Sequence, residues 1–396
     1  MKENRTSMWR VLSWAWLALL ASCASTSLVP VNRSGNFVME EDERRIWSRS
    51  KEEQEVLDRS GYIYEDSLLT DYVNAVVRQL RPPGSSHAML VFQAKIIKNP
   101  LLNAFAYPNG VIYIHTGIIS KMDNEAQLAT VLGHEMSHAI YRHALASIHN
   151  LQNTTGVLSV LQIATLPFGI FGGLAGLLGN IGGLAAVTGY SRELESQADT
   201  SGLSLMVESG YDVREAPKVF VALKRDLDEQ KTDEPFFFGS HPRLQDRIDN
   251  YTQLVTGKYS SALSTLGTER FDGLIKGLLL DNASLDLSMG RFGSVERSMG
   301  RVLRVDSLNA RAYFMLGECY RLRSGRTNVD TAETHYRRAV ACDSSFPPPH
   351  KAMGLILYKR GDKEAASEEF EEYLRWSPNA DDRKYIEQYI NEMKRR

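Results

Sequence analysis

The stretch GHEMSHAIYRH, Gly133 to His143, decides how the rest of this chain is read. It reads as a helix, and His134 and His138, four residues apart, then share one face. Zinc needs imidazole ligands that converge from one side, and an i, i+4 pair supplies two. Glu135 points slightly off that face, where it can take the proton of an attacking water. With 9 histidines in 396 residues, a chance His-Glu-x-x-His arises on the order of once in 100 such chains, so the pattern carries weight.

Upstream, Asp123-Asn124-Glu125 caps this helix, which is expected to run from about Asn124 to His143 or beyond. Before it, Asn103 to Tyr107 and Val111 to His115 flank Pro108-Asn109-Gly110, and Asn-Gly between two such runs signals a hairpin. Met89 to Ile97 is strand-like. Leu69, Tyr72, Val73, Val76, Val77 and Leu80 repeat with a helical period, and Arg81-Pro82-Pro83-Gly84 ends that element. The charged stretch Glu40 to Arg59 predicts one or two exposed helices packed by one edge. A hairpin just before a metal helix has a use beyond sheet core: an extended peptide can join its free edge as a strand and lie over the metal.

Two histidines leave zinc short of a protein ligand. Ser191-Arg192-Glu193-Leu194-Glu195-Ser196-Gln197-Ala198-Asp199 reads as helix, with Glu195 and Asp199 four apart on one face. Glu195 is the stronger candidate for the metal, with Asp199 placed to accept the free ring N–H of a ligand histidine. Glu193 is the rival, but Gln197 stands four residues after it, where no acid is available. Taken together, NAFAYPNGVIYIHTG (103–117), HEMSH and SRELESQAD resemble metallopeptidase family forty-eight, of the gluzincins, across about Glu40 to Asn250. The resemblance implies one zinc per chain on His134, His138 and Glu195, Glu135 as catalytic base, and Asp199 behind a ligand. Gln197 departs from it, since the family often has a second Glu there.

The oxyanion of a hydrolytic transition state needs a further donor, and His241, Arg192 and Tyr190 are candidates the residues alone do not separate. His241 lies in Ser240-His241-Pro242, which resembles the family's segment returning to the cleft. It would occupy the fourth metal position as a latch, help the transition state, or simply sit in a capping loop. Between His149 and Arg192 no residue is charged, and nine glycines from Gly156 to Gly189 punctuate apolar residues. A lid or lipid-facing segment, a membrane span and inert core are the three readings.

After about Gly257 the composition shifts to helix formers. Gly354, Ala366, Phe370 and Pro378 fit the tetratricopeptide pattern, and Gly317, Ala332, Tyr336 and Ala339 repeat it with three extra residues around Ser324 to Asp330. Gly290, Val295 and Val302 form a weaker unit, and Asp381 to Arg396 reads as a capping helix. Stacked helix pairs make a groove for peptides or proteins, so partners are implied. Cys319 and Cys342 fall about 10 Å apart in this register, beyond disulfide reach, so no bridge is expected.

At the other end, Lys2, Arg5 and Arg10 precede apolar Val11 to Leu20, too short for a comfortable span and shaped like a secretion signal. Leu20-Ala21-Ser22-Cys23 resembles the lipobox of bacterial lipoproteins, which implies acyl chains on Cys23. Ala24 after it points to the outer membrane. A net charge of −2 argues against nucleic acid as a partner, and no cysteine lies near the histidine helix to serve as a ligand. The expected organisation is a signal peptide at 1–22 and a lipid-anchored tether at 23–39. An α+β zincin-type peptidase domain, mainly helical with a small sheet, follows at 40–256, and an all-α tetratricopeptide-repeat domain at 257–396. By resemblance to periplasmic members of the family, the expected activity is endoproteolysis of misassembled envelope and outer-membrane proteins. The repeats would recruit the outer-membrane assembly machinery, on the periplasmic face of the outer membrane. The alternative is a periplasmic chaperone or scaffold with a latent or structural zinc site.

Overall fold

The computed structural model describes residues 28–31, 38–81, 90–155, 190–230, 244–259, 265–323 and 325–394. Cys23, the glycine-rich segment and His241 lie outside them. The charged N-terminal stretch makes one helix, α1 (Glu41–Asp58), which buries Glu43, Ile46, Ser50, Gln54 and Leu57 at helical spacing. In α2 (Ser67–Leu80) the Asp66 carboxylate caps the Leu69 N–H at 2.9 Å, and the six apolar positions read from the sequence are the ones buried.

Three strands follow, β1 (Gln93–Ile97), β2 (Ala104–Ala106) and β3 (Val111–His115). They form one sheet in the order β1-β3-β2, with β1 parallel and β2 antiparallel to the central strand. The β2–β3 hairpin turns at Gly110, whose φ of +95° suits glycine. Every residue of β3 is buried. Ile112 and Ile114 join the main core with α2, whereas Val111 and Tyr113 pack with Phe105, Tyr107 and Leu57 under α1.

After the short α3 (Thr116–Lys121) comes α4 (Glu125–Ile140), which carries the histidines and is buried along its whole length. The Asn124 side chain accepts the Gln127 N–H at 3.0 Å and starts it. The sequence predicts one helix through His143, but the chain breaks after Tyr141. Arg142 has a φ of +58°, and α5 (His143–Thr155) begins anew. The left-handed backbone costs on the order of 1–3 kcal/mol. Burial of the Arg142 guanidinium against Glu43, at 2.6 and 3.0 Å, compensates and ties α1 to the end of the histidine helix.

α6 (Arg192–Glu208) lies across α4, and a 3-10 turn leads to α7 (Ala216–Gln230), with α8 (Leu244–Lys258) beside it. Seven more helices follow: α9 (Thr268–Ser288), α10 (Phe292–Val305), α11 (Ala310–Leu322), α12 (Arg326–Cys342), α13 (Pro347–Arg360), α14 (Lys363–Trp376) and α15 (Arg383–Lys394). They stack as neighbouring pairs. A Cβ on Gly354 would sit 2.7 Å from the Phe370 ring, and one on Gly317 would enter the Tyr336 ring, so these glycines let α13 meet α14 and α11 meet α12. Gly290 differs from them: its φ of +70° places it in the turn after α9, with open space around it.

One apolar core runs from Val73 through Leu132 and Leu203 to Phe271, Leu279, Val295 and Cys319. It therefore crosses residue 257 without a gap. Cys319 is buried, Cys342 is half-buried, and both are free thiols. Among the described residues no helix is long and apolar enough to cross a membrane.

Candidate metal centre

The site is built where α4 and α6 cross. A Cβ on Gly202 would lie 2.9 Å from the His134 backbone nitrogen, and one on Gly133 would lie 3.2 Å from the Gly202 carbonyl oxygen. Two bare backbones therefore touch, and the side chains one turn on either side face each other. His134 and His138 come from α4, Glu195 and Asp199 from α6, and all four are almost wholly buried. The Ser191 hydroxyl starts α6 by accepting the Leu194 N–H.

Nε2 of His134 and Nε2 of His138 are 3.0 Å apart. The Glu195 carboxylate faces both rings, with Oε2 3.5 Å from Nε2 of His134 and Oε1 3.4 Å from Nε2 of His138. Three ligand atoms so disposed could hold one metal ion. Glu193, the rival ligand, is exposed, as is Arg192 in the first turn of α6.

Behind His134, its Nδ1 lies 2.9 Å from Oδ1 of Asp199, as the spacing of Glu195 and Asp199 suggests. Arg247 of α8 reaches the same carboxylate oxygen at 2.6 Å, and Asn250 donates to the other at 3.0 Å. Arg247 is also 2.9 Å from His134 Nδ1, but two donors cannot bond each other, so Asp199 is the acceptor both share. Burial first, and the Arg247 charge after it, lower the His134 pKa to about 4 against the opposing pull of Asp199 and Glu195. Burial pushes the Asp199 carboxyl up, yet Arg247 and His134 outweigh it and hold the group well below the usual range. The ring of His134 is thus neutral and Asp199 is an anion.

Behind His138 stands a second histidine. Nδ1 of His138 lies 2.8 Å from Nδ1 of His143, and Nε2 of His143 lies 3.0 Å from Oε1 of Gln197. Tyr190 stacks on the His138 ring with centroids 4.0 Å apart. Burial raises the Tyr190 phenol far above its ordinary range, and the Glu135 and Glu195 charges add to that, so both carboxylates are close. Glu135 itself is 2 % exposed. A small cavity at the end of β2 is lined by Ala106, Tyr107, Pro108, His138 and Tyr190 among others.

The geometry thus brings together the residues read from the sequence, His134, Glu135, His138, Glu195 and Asp199, and adds four, Arg247, Asn250, His143 and Gln197. Residues 67–255 match the family profile described as peptidase family M48. This stretch is an M48 peptidase domain. The M48 match is echoed in single relatives. The chain is 30% identical over 166 residues to mitochondrial metalloendopeptidase OMA1 of Arabidopsis thaliana, covering 40% of this chain and 32% of that protein. It is 28% identical over 203 residues to the beta-barrel assembly-enhancing protease of Escherichia coli strain K12, covering 48% and 39%. The Yersinia pestis protein of that name matches at 28% over 246 residues, covering 55% and 50%. The chain thus spans a third to a half of the length of these curated relatives.

Proposed function

We propose that this protein is a zinc-dependent endopeptidase, with one zinc on His134, His138 and Glu195 and with Glu135 as its general base. The observation that carries the reading is the convergence of three ligands: Nε2 of His134 and of His138 lie 3.0 Å apart, and the two oxygens of the one Glu195 carboxylate lie 3.5 Å from the first and 3.4 Å from the second. A tetrahedral zinc with bonds of 2.0–2.2 Å separates its ligands by about 3.4 Å. Two imidazoles and one carboxylate also make the donor set of catalytic zinc sites, which keep a fourth position open. When bound, the zinc supplies Lewis acidity toward the peptide carbonyl and the attacking water. Glu135, next to His134 on α4, takes the water's proton and hands it to the leaving amine. Asp199, held by Arg247 and Asn250, accepts the Nδ1–H of His134 and keeps Nε2 turned to the site. β2 is the outer strand of the sheet and its last residue, Ala106, lines a small cavity with His138, which supports an extended peptide docking there as a fourth strand. His241 is the proposed latch or transition-state donor.

The natural substrates are then misassembled envelope or outer-membrane proteins, a reading supported by relatives named for enhancing β-barrel assembly. Leu20-Ala21-Ser22-Cys23 supports a lipid anchor at Cys23 and a place on the periplasmic face of the outer membrane. The paired helices α11–α14, with Gly317 against Tyr336 and Gly354 against Phe370, support a tetratricopeptide-repeat domain at 257–396 that recruits the assembly machinery, following the peptidase domain at 40–256.

Metal analysis together with digestion of casein and of an unfolded outer-membrane β-barrel protein tests this. One zinc per chain in both the wild type and Glu135→Gln, with cleavage by the wild type alone, is the expected result. Equal cleavage by the two proteins, or no stoichiometric metal, overturns it. Assembly support that survives in Glu135→Gln marks a scaffold role.

A further inference from the structure

The two ligand histidines are held from behind in different ways. His134 is backed by the Asp199 anion. His138 is backed by His143, which is itself backed by the amide of Gln197. The second chain of contacts has a direction. For His138 to offer the lone pair of Nε2 to a metal, its one proton must sit on Nδ1 and point at His143. Nδ1 of His143 must then accept, so the proton of that ring sits on Nε2, which faces Oε1 of Gln197 at 3.0 Å. An amide oxygen there is an acceptor, and the chain closes. With a donor in its place every proton would shift along by one ring, and His138 would present an N–H to the metal instead of a lone pair.

The backbone is arranged for this contact. His143 is five residues after His138, and on an unbroken helix it would lie about 140° around the axis. The left-handed Arg142 breaks the helix and brings the His143 ring back, fully buried, against His138. We propose that Gln197 and His143 are positioning residues that set the tautomer of His138 by a two-step hydrogen-bond relay, and through it the affinity of the site for its ion. This rests on the zinc reading above.

The test is zinc affinity by chelator competition, with the absorption spectrum of the cobalt-substituted protein as a second readout. Gln197 is exposed, so substitutions there leave the fold intact, which the melting temperature of the metal-free proteins checks. Gln197→Met is neutral and of similar length but cannot accept; Gln197→Glu accepts. The relay predicts that Gln197→Met and His143→Ala each weaken zinc binding by about 10-fold or more, whereas Gln197→Glu stays within about threefold of wild type. A through-space charge effect alone would leave Gln197→Met equal to wild type. If Gln197→Met binds zinc as tightly as wild type and its cobalt spectrum is unchanged, the relay is wrong while the peptidase reading stands. If the wild type itself binds no zinc, both fall.

Discussion

Arg247 carries a full charge into the interior, 2.6 Å from Asp199 and with its guanidinium 4.2 Å from the centre of the Phe220 ring. Removing one partner of a buried pair leaves the other charged and unpaired, at a cost of roughly 3–5 kcal/mol. Arg247→Met should therefore lower the urea midpoint of the metal-free protein by an amount corresponding to that range. Asp199→Asn in the same chain should recover part of the loss, because the stranded anion is gone. Glu135→Gln acts differently. It keeps shape and burial but cannot take a proton, so kcat on a peptide substrate should fall about 10²–10⁴-fold with zinc content unchanged. Five of the site residues were legible because short-range spacing encodes them: four-residue intervals place His134 with His138 and Glu195 with Asp199. Arg247 was not legible. It stands 48 residues from its partner in an ordinary polar helix, and only the packing of α8 against α6 brings them together. His143 was hidden for another reason, since on the expected straight helix it points elsewhere.

At the scale of elements, the crossing of α4 and α6 is fixed by backbone rather than by side chains. Around Gly202 the atoms a methyl group would meet belong to the His134 and Gly133 main chain, which cannot rotate away. Gly202→Ala should cost about 1–3 kcal/mol. It should also weaken zinc binding, because any relief separates Glu195 from the two histidines; thermal melting and chelator competition measure the two effects. At Gly354 the neighbour is the Phe370 ring, a side chain. Gly354→Ala should be destabilising alone and partly rescued by Phe370→Leu, read as a double-mutant cycle in urea. The apolar period of α2, the Asn-Gly turn and the Asn124 cap were all readable in sequence, because each is a local preference. The break at Arg142 was not, since no glycine or proline marks it. A long-range ion pair to Glu43 sustains it. Helix α12 has 17 residues where α14 has 14, a difference of about one turn.

Across the whole molecule, a buried polar group joins α3 and α7 to α9 and α10. Lys121 reaches Ser294 at 2.8 Å and both Asp226 and Asp286 at 3.4 Å, and the Ser294 hydroxyl donates to Asp226. Burial pushes the Asp226 carboxyl up, but Lys121, Ser294 and Arg297 together hold it below its ordinary range. A carboxyl depressed in the folded state adds stability above the unfolded value of about 4 and loses it as pH falls through the folded value. Asp226→Asn should thus be less stable than wild type at pH 7, with the gap closing toward about pH 3 in urea midpoints. Asp286 has the opposite sign, since burial raises it, so acid relieves it. This junction was not legible from the composition shift near Gly257, which marks where helix formers begin but not where packing ends.

The contact of Leu28 with Ile46, Leu145 and Ile148, and the bond from the Val31 N–H to the Ile140 carbonyl, pin the start of the described chain to the far end of the histidine helix. On the proposed acylation of Cys23, four residues separate the anchor from Leu28, a reach of about 18 Å at full stretch. A domain held by that proposed anchor would stay close against the bilayer surface instead of reaching far from it.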